Sequence, residues 1–150
     1  MNKLEDIFSV AKQRAGAKNL PYSGELTPQE AFQAIAQAST SVVIVDVRST
    51  AELDLVGRIP NALHIEWAFY PGMVPNVDFA DQLQELVAPD KTIVFMCRTG
   101  ARSHSAAVIA QQLGFYNVYN MLEGFEGVAN DINQRTLING WKHAGLPWTN

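Results

Sequence analysis

The 150-residue chain holds a single cysteine, Cys97. One cysteine excludes an internal disulfide and a cysteine-rich metal site. Charge is sparse as well: 17% of the residues are charged and the net charge is -4. Nucleic-acid binders usually show a basic face, so this balance argues against that class. No apolar run reaches membrane length, so no membrane span is expected. Met1 to Arg14 carries Glu5 and Asp6 and lacks the apolar core of an export signal. The expected setting is a reducing cytoplasm. Internal repeats and low-complexity tracts are missing too. What remains is an ordinary globular balance, 47% hydrophobic, long enough for one domain with a real core.

Leu4, Ile7, Phe8, Ala11 and Ala15 repeat at helical spacing, with Gly16 as the expected stop. A loop follows from Lys18 to Gly24. Residues 1–24 therefore read as a helix and linker packed on the domain, and residues 25–150 as the domain itself. The apolar face of this helix suits its own sheet or a second subunit, and so a homodimer. Thr27-Pro28-Gln29-Glu30 combines a capping threonine, a proline at the first helical position and a glutamate at the third. That helix runs to about Ala38 and should bury Ala31, Ile35 and Phe32.

Val42 to Val47 is a β-branched run of the kind covered on both faces of a parallel sheet. Ser49-Thr50-Ala51-Glu52 starts a short helix. Gly57 to Ala62 is a turn, Leu63-His64-Ile65 a short strand, and Glu66 to Val77 a loop with Pro71-Gly72 and Pro75-Asn76. Asp78 should cap a helix from Phe79 to about Val87. Thr92 to Met96 is a buried strand, Ser103 to Leu113 a helix stopped by Gly114, and Asn117 to Met121 the last strand. A polar stretch with one or two helices runs to Pro147. Strands alternate with helices, which predicts an α/β sandwich: a mainly parallel sheet with helices on both faces.

Ligands of such sheets bind beyond the carboxyl ends of the strands, where Cys97 falls. The turn Arg98-Thr99-Gly100-Ala101-Arg102-Ser103 leads from it into a helix N-terminus. Backbone N–H groups there lack internal partners and can converge on one negative centre. The thiolate is the nucleophilic form of cysteine, and helix N-termini and arginines favour it. Two arginines in one tight turn repel unless an anion lies between them. A lone cysteine ending an apolar strand is usually a buried small hydrophobe. The arginine-flanked turn moves the reading to an anion cradle.

Cys97 to Ser103 resembles the active-site loop of the rhodanese family of sulfurtransferases. Ile44-Val45-Asp46-Val47-Arg48 with Glu52, the turn Gly57-Arg58-Ile59-Pro60-Asn61-Ala62, and Gly124 with Trp141 and Gly145-Leu146-Pro147 resemble further family segments, in order from about Thr27 to Pro147. The resemblance implies a rhodanese-like sandwich. It also implies that Cys97 takes the outer sulfur of a donor such as thiosulfate, becomes a persulfide, and passes sulfur to cyanide, a thiol or a protein. The persulfide would be held by N–H groups from Arg98, Thr99, Gly100, Ala101, Arg102 and Ser103. Arg98 and Arg102 would orient the anionic donor, in covalent ping-pong catalysis. Neither a metal nor an organic cofactor is implied.

The chain departs from the family pattern at Arg58, Asn61 and Phe125, in the long loop Trp67 to Asn76, and in an insertion from Val128 to Asn139. Two other functions compete. A cysteine phosphatase or arsenate reductase uses a similar cradle, but four residues separate Cys97 from Arg102, one fewer than in the phosphatase cradle, which crowds a tetrahedral phosphate. A non-catalytic sulfur-carrier or binding domain is the third reading. Asp46 and Arg48 could support the cysteine loop from a neighbouring strand end; for Arg48 an ion pair with Glu52 at the helix start is favoured. His104 is expected to face solvent. His64 and His143 carry no pattern. Trp67, Phe69, Tyr70 and Met73 have two readings, lining an apolar donor or protein site or covering a sheet edge, and the second is favoured.

Overall fold

The computed structural model describes residues 3–150. Its centre is a five-stranded, all-parallel sheet: β1 (Gly24–Leu26), β7 (Val118–Met121), β6 (Thr92–Met96), β2 (Val42–Asp46) and β3 (Leu63–His64), in that spatial order. Among the described residues five helices accompany it: α1 (Leu4–Lys18), α2 (Pro28–Gln37), α3 (Thr50–Val56), α4 (Phe79–Leu86) and α5 (Ala101–Gln112). Alternation along β6 divides the core. Ile93, Phe95 and Cys97 face α4 and α5, beside Leu83, Ala106 and Ala110. Val94 and Met96 face α1 and α2, beside Ile7, Ala11 and Ala31. A strand buried on both faces has no polar side, which is why its sequence reads as an unbroken apolar run.

Local chemistry sets the helix ends. Thr27 and Glu30 form a reciprocal capping box at α2, and Ser49 and Glu52 another at α3. Two ends differ from expectation. Helix α1 runs through Gly16 and stops at Asn19, whose φ of 56° supplies the left-handed turn; the Leu20 N–H then reaches the Ala15 carbonyl at 3.0 Å. Asp78 makes no side-chain cap. Instead Asn76 Oδ1 accepts the Asp78 N–H at 3.1 Å and sets the entry to α4. In α2, Ala31 and Ala34 are buried, Ile35 is half-buried and Phe32 is exposed, its ring edge-on to Trp141.

Three segments depart further. Gly24–Leu26 is an edge strand paired with β7 rather than the end of a loop. Three residues are too few to show a period. Residues 66–77 contain a small antiparallel hairpin, β4 (Ala68–Phe69) with β5 (Val74–Pro75). Residues 128–147 form no helix. Asn133 and Thr136 sit at φ of 61° and 73°. The backbone there is spent on loop contacts: Thr136 N–H to the Glu126 carbonyl and Trp141 N–H to that of Gly124, both at 2.9 Å. The face of α1 that could have met a second subunit is used within the chain, with Ile7, Ala11 and Ala15 buried.

Candidate active site

Cys97 follows β6 directly and lies beneath the N-terminus of α5. Its Sγ accepts two hydrogen bonds, from the Gly100 N–H at 3.1 Å and from the Ser103 hydroxyl at 3.3 Å. The residue is 1% exposed. Gly100 is the N-cap of α5 at φ 114°, a conformation side chains avoid, and this turns its N–H back onto the sulfur. The first turn of α5 adds N–H groups without intrahelical partners. Thr99 is half-buried and Ala101 opens the helix at the surface.

The strand-end segment after β7 straps this loop from behind. Phe125 N–H donates to the Cys97 carbonyl at 2.9 Å and Glu126 N–H to that of Arg98 at 3.1 Å. The approach is so close that a Cβ on Gly124 would lie 2.5 Å from the Arg98 carbonyl atoms. Asn120 on β7 donates from Nδ2 to the Gly100 carbonyl at 3.1 Å, fixing the peptide that follows the glycine. Sequence reasoning passed over Asn120. A lone amide in the apolar run Val118-Tyr119-Asn120-Met121 was the signal available.

The two arginines of the loop differ in their partners. Arg102 is bound by both oxygens of Glu52, at 2.7 and 2.8 Å. The protein itself thus supplies a countercharge in the turn. Burial opposes the charge on Glu52. The Arg102 guanidinium together with the Ser49 N–H and hydroxyl outweighs it and holds the carboxyl down at about 2. The same hydrogen bond raises Arg102 above its ordinary value. Arg98 is exposed and makes no ion pair among the described residues.

Arg48 does not pair with Glu52. It is fully buried against Asp46, with its Nη2 2.7 Å from Oδ2, a further bond to the Gly57 carbonyl, and its guanidinium 4.2 Å over the Phe125 ring. Glu52 stands at the third position of α3, where the cap aims it across at the first turn of α5. Arg48 precedes that helix and turns inward. Asp46 and Arg48 therefore stand behind the loop and reach it through Phe125.

His104 is half-buried rather than solvent-facing. Its Nδ1 lies 2.7 Å from the Tyr22 hydroxyl. Burial, with the charge of Glu25, pushes Tyr22 up to about 12, so that hydroxyl stays protonated. Trp67 packs edge-on to Phe79 in the core, whereas Tyr70 and Met73 leave the sheet edge and line an open cleft of about 530 Å³ together with Arg98, Arg102 and α3.

A model of the rhodanese-like domain matches residues 27–131. The chain belongs to the rhodanese-like domain family. An uncharacterized protein of Rickettsia conorii is 35% identical over 114 residues, covering 74% of this chain and 85% of that protein. The thiosulfate sulfurtransferase GlpE of Actinobacillus succinogenes is 29% identical over 123 residues, covering 82% of this chain and 87% of that protein. Among solved structures, Rv0390 of M. tuberculosis superposes with a TM-score of 0.78 at 33% identity, over 85% of this chain and 98% of that one. The rhodanese-like sheet explains the depth of the site: Cys97 stands at the carboxyl end of a central strand, where the neighbouring strand ends and the α5 terminus converge.

Proposed function

We propose that this protein is a sulfurtransferase that carries sulfur on Cys97 as a persulfide. One observation carries the reading: Cys97 Sγ sits under the α5 N-terminus with the Gly100 N–H and the Ser103 hydroxyl on it. Such donors stabilise a thiolate and, one atom further out, a terminal sulfur anion. In the first step the Cys97 thiolate attacks the outer sulfur of thiosulfate. The S–S bond to the sulfonate breaks and sulfite leaves with its electron pair. In the second, a nucleophile such as cyanide attacks the terminal sulfur of the persulfide, thiocyanate departs and the thiolate returns. Arg98, exposed and unpaired beside the loop, orients the anionic donor. The reducing cytoplasm suits a single reactive thiol.

The short loop favours sulfur over phosphate. Four residues between Cys97 and Arg102 leave room for one atom on the thiolate and crowd a tetrahedral phosphate. The test is the intact mass after incubation with thiosulfate. A gain of one sulfur atom is expected, absent in Cys97→Ser and removed by cyanide with thiocyanate released. Hydrolysis of an aryl phosphate without any mass gain would replace this reading with the phosphatase.

A further inference from the structure

Three consecutive residues in the first turn of α5 are each tied to a different element. Arg102 is bound to Glu52 of α3, Ser103 donates to Cys97 Sγ, and His104 Nδ1 lies 2.7 Å from the Tyr22 hydroxyl. Successive helical side chains point about 100° apart around the axis. The anchors at Arg102 and His104 therefore flank Ser103 and oppose rotation of the turn in both senses. Rotation is the motion that would carry the Ser103 hydroxyl off the sulfur.

Tyr22 is a fixed mount for the second anchor. It is buried, in the linker between α1 and β1, ahead of residue 27, where the rhodanese-like domain begins. Before it, the Leu20 N–H is bonded to the Ala15 carbonyl at 3.0 Å. After it, the Ser23 N–H donates to the Val118 carbonyl at 2.9 Å, and the Ser23 hydroxyl accepts the Val118 N–H at 3.0 Å. The Tyr22 ring stands edge-on to the His104 ring, with centroids 5.4 Å apart. With the imidazole neutral, the hydroxyl donates, Nδ1 accepts and the ring hydrogen stays on Nε2.

Both donors at the sulfur depend on this turn. Ser103 is the chain neighbour of His104. Gly100, whose N–H is the other donor, receives the His104 backbone N–H on its carbonyl at 3.1 Å. Hydrogen bonds weaken steeply when misaligned, so the two donors act fully only while the turn is held in place.

We infer that Tyr22 is a positioning residue for sulfur transfer, supplied by the linker after α1 and acting through His104 on the two donors at Cys97. The inference rests on the persulfide reading above and adds to it a part for the N-terminal segment. Tyr22 bonds to neither the sulfur nor the two loop arginines. Its loss should therefore slow bond making at Cys97 and leave binding of the donor anion unchanged.

The experiment follows persulfide formation in the full chain by intact mass, in single turnovers over a range of thiosulfate concentrations. Urea unfolding establishes the folded fraction of each variant. Tyr22→Phe keeps the ring and removes the hydroxyl alone. Its rate at saturating thiosulfate should fall about three- to tenfold, the effect of one neutral hydrogen bond. The half-saturating concentration should stay within about twofold of wild type. His104→Phe should show the same loss, and the double variant should be no slower than the slower single one, because both substitutions remove one contact. His104→Asn places an acceptor oxygen where Nδ1 stood and should restore the rate to within about twofold of wild type. An unchanged rate in folded Tyr22→Phe, an effect confined to the half-saturating concentration, additive losses in the double variant, or no recovery in His104→Asn would each overturn the inference and leave persulfide formation standing. A wild-type chain that gains no sulfur would overturn the sulfurtransferase reading itself, and this one with it.

Discussion

Arg102 and Glu52 lock the first turn of α5 to the first turn of α3 through two parallel hydrogen bonds of 2.7 and 2.8 Å. Fork-to-carboxylate pairing is geometrically strict and stronger than a single contact. Both side chains are about one-fifth exposed, at 19% and 20%, so solvent screens the pair only in part. A double-mutant cycle with Glu52→Gln and Arg102→Gln, followed by urea unfolding, should give a coupling of about 1–2 kcal/mol. A coupling near zero would show that the pair does not hold the loop.

The same carboxylate gives a pH dependence. Glu52 titrates at about 2 in the folded protein against an ordinary 4.5. A depressed folded value stabilises the protein above the unfolded value and loses that contribution as pH falls toward the folded one. Stability should therefore decline between about pH 4.5 and about pH 2 more steeply in wild type than in Glu52→Gln. Urea midpoints taken across that range measure the difference.

The two arginines should separate kinetically. Arg98 has no countercharge bonded to it, whereas Arg102 is already paired. Losing one charge-assisted contact to an anion costs about 1.5–3 kcal/mol. Arg98→Gln should accordingly raise the KM for thiosulfate about tenfold or more. Arg102→Gln should act mainly on stability. The reverse order would move the donor anion to Arg102.

Gly124 has no room for a methyl group. Its φ is 69°, and a Cβ would lie 2.5 Å from the Arg98 carbonyl. Overpacking of this kind costs about 1–3 kcal/mol even where neighbours give way, and here the neighbour is backbone. Gly124→Ala should lower the urea midpoint and slow persulfide formation together, because the clash falls on the loop that carries Cys97.

Asn120 acts on the sulfur through Gly100 and is a positioning residue. Removing its Nδ2 takes away one of the two hydrogen bonds on the Gly100 carbonyl, which keeps the His104 N–H at 3.1 Å, at a cost of about 0.5–1.5 kcal/mol. In Asn120→Leu the first-order rate of persulfide formation should fall about tenfold with the KM for thiosulfate nearly unchanged. A loss of stability alone, at an unchanged rate in the folded fraction, would reduce Asn120 to a packing role.

The amino-acid order by itself determined the frame. Thr27 with Glu30 and Ser49 with Glu52 announce their helices because a cap is satisfied within four residues. The apolar runs at Val42 and Thr92 announce buried parallel strands because both faces need covering. The turn from Cys97 to Ser103 announces a cradle because its donors are contiguous with the cysteine. Those are local or periodic signals. The tertiary structure decided everything that joins distant segments. Glu52 could have served Arg48, its sequence neighbour, and instead binds Arg102, fifty residues away. Asn120 meets Gly100 only because β7 lies beside β6. Gly24–Leu26 becomes a strand only because β7 offers it an edge. Tyr70 and Met73 line the cleft only because their hairpin folds over α3 and the cysteine loop. Which side chains face one another across a sheet depends on strand order, and strand order leaves no mark on any single stretch of sequence.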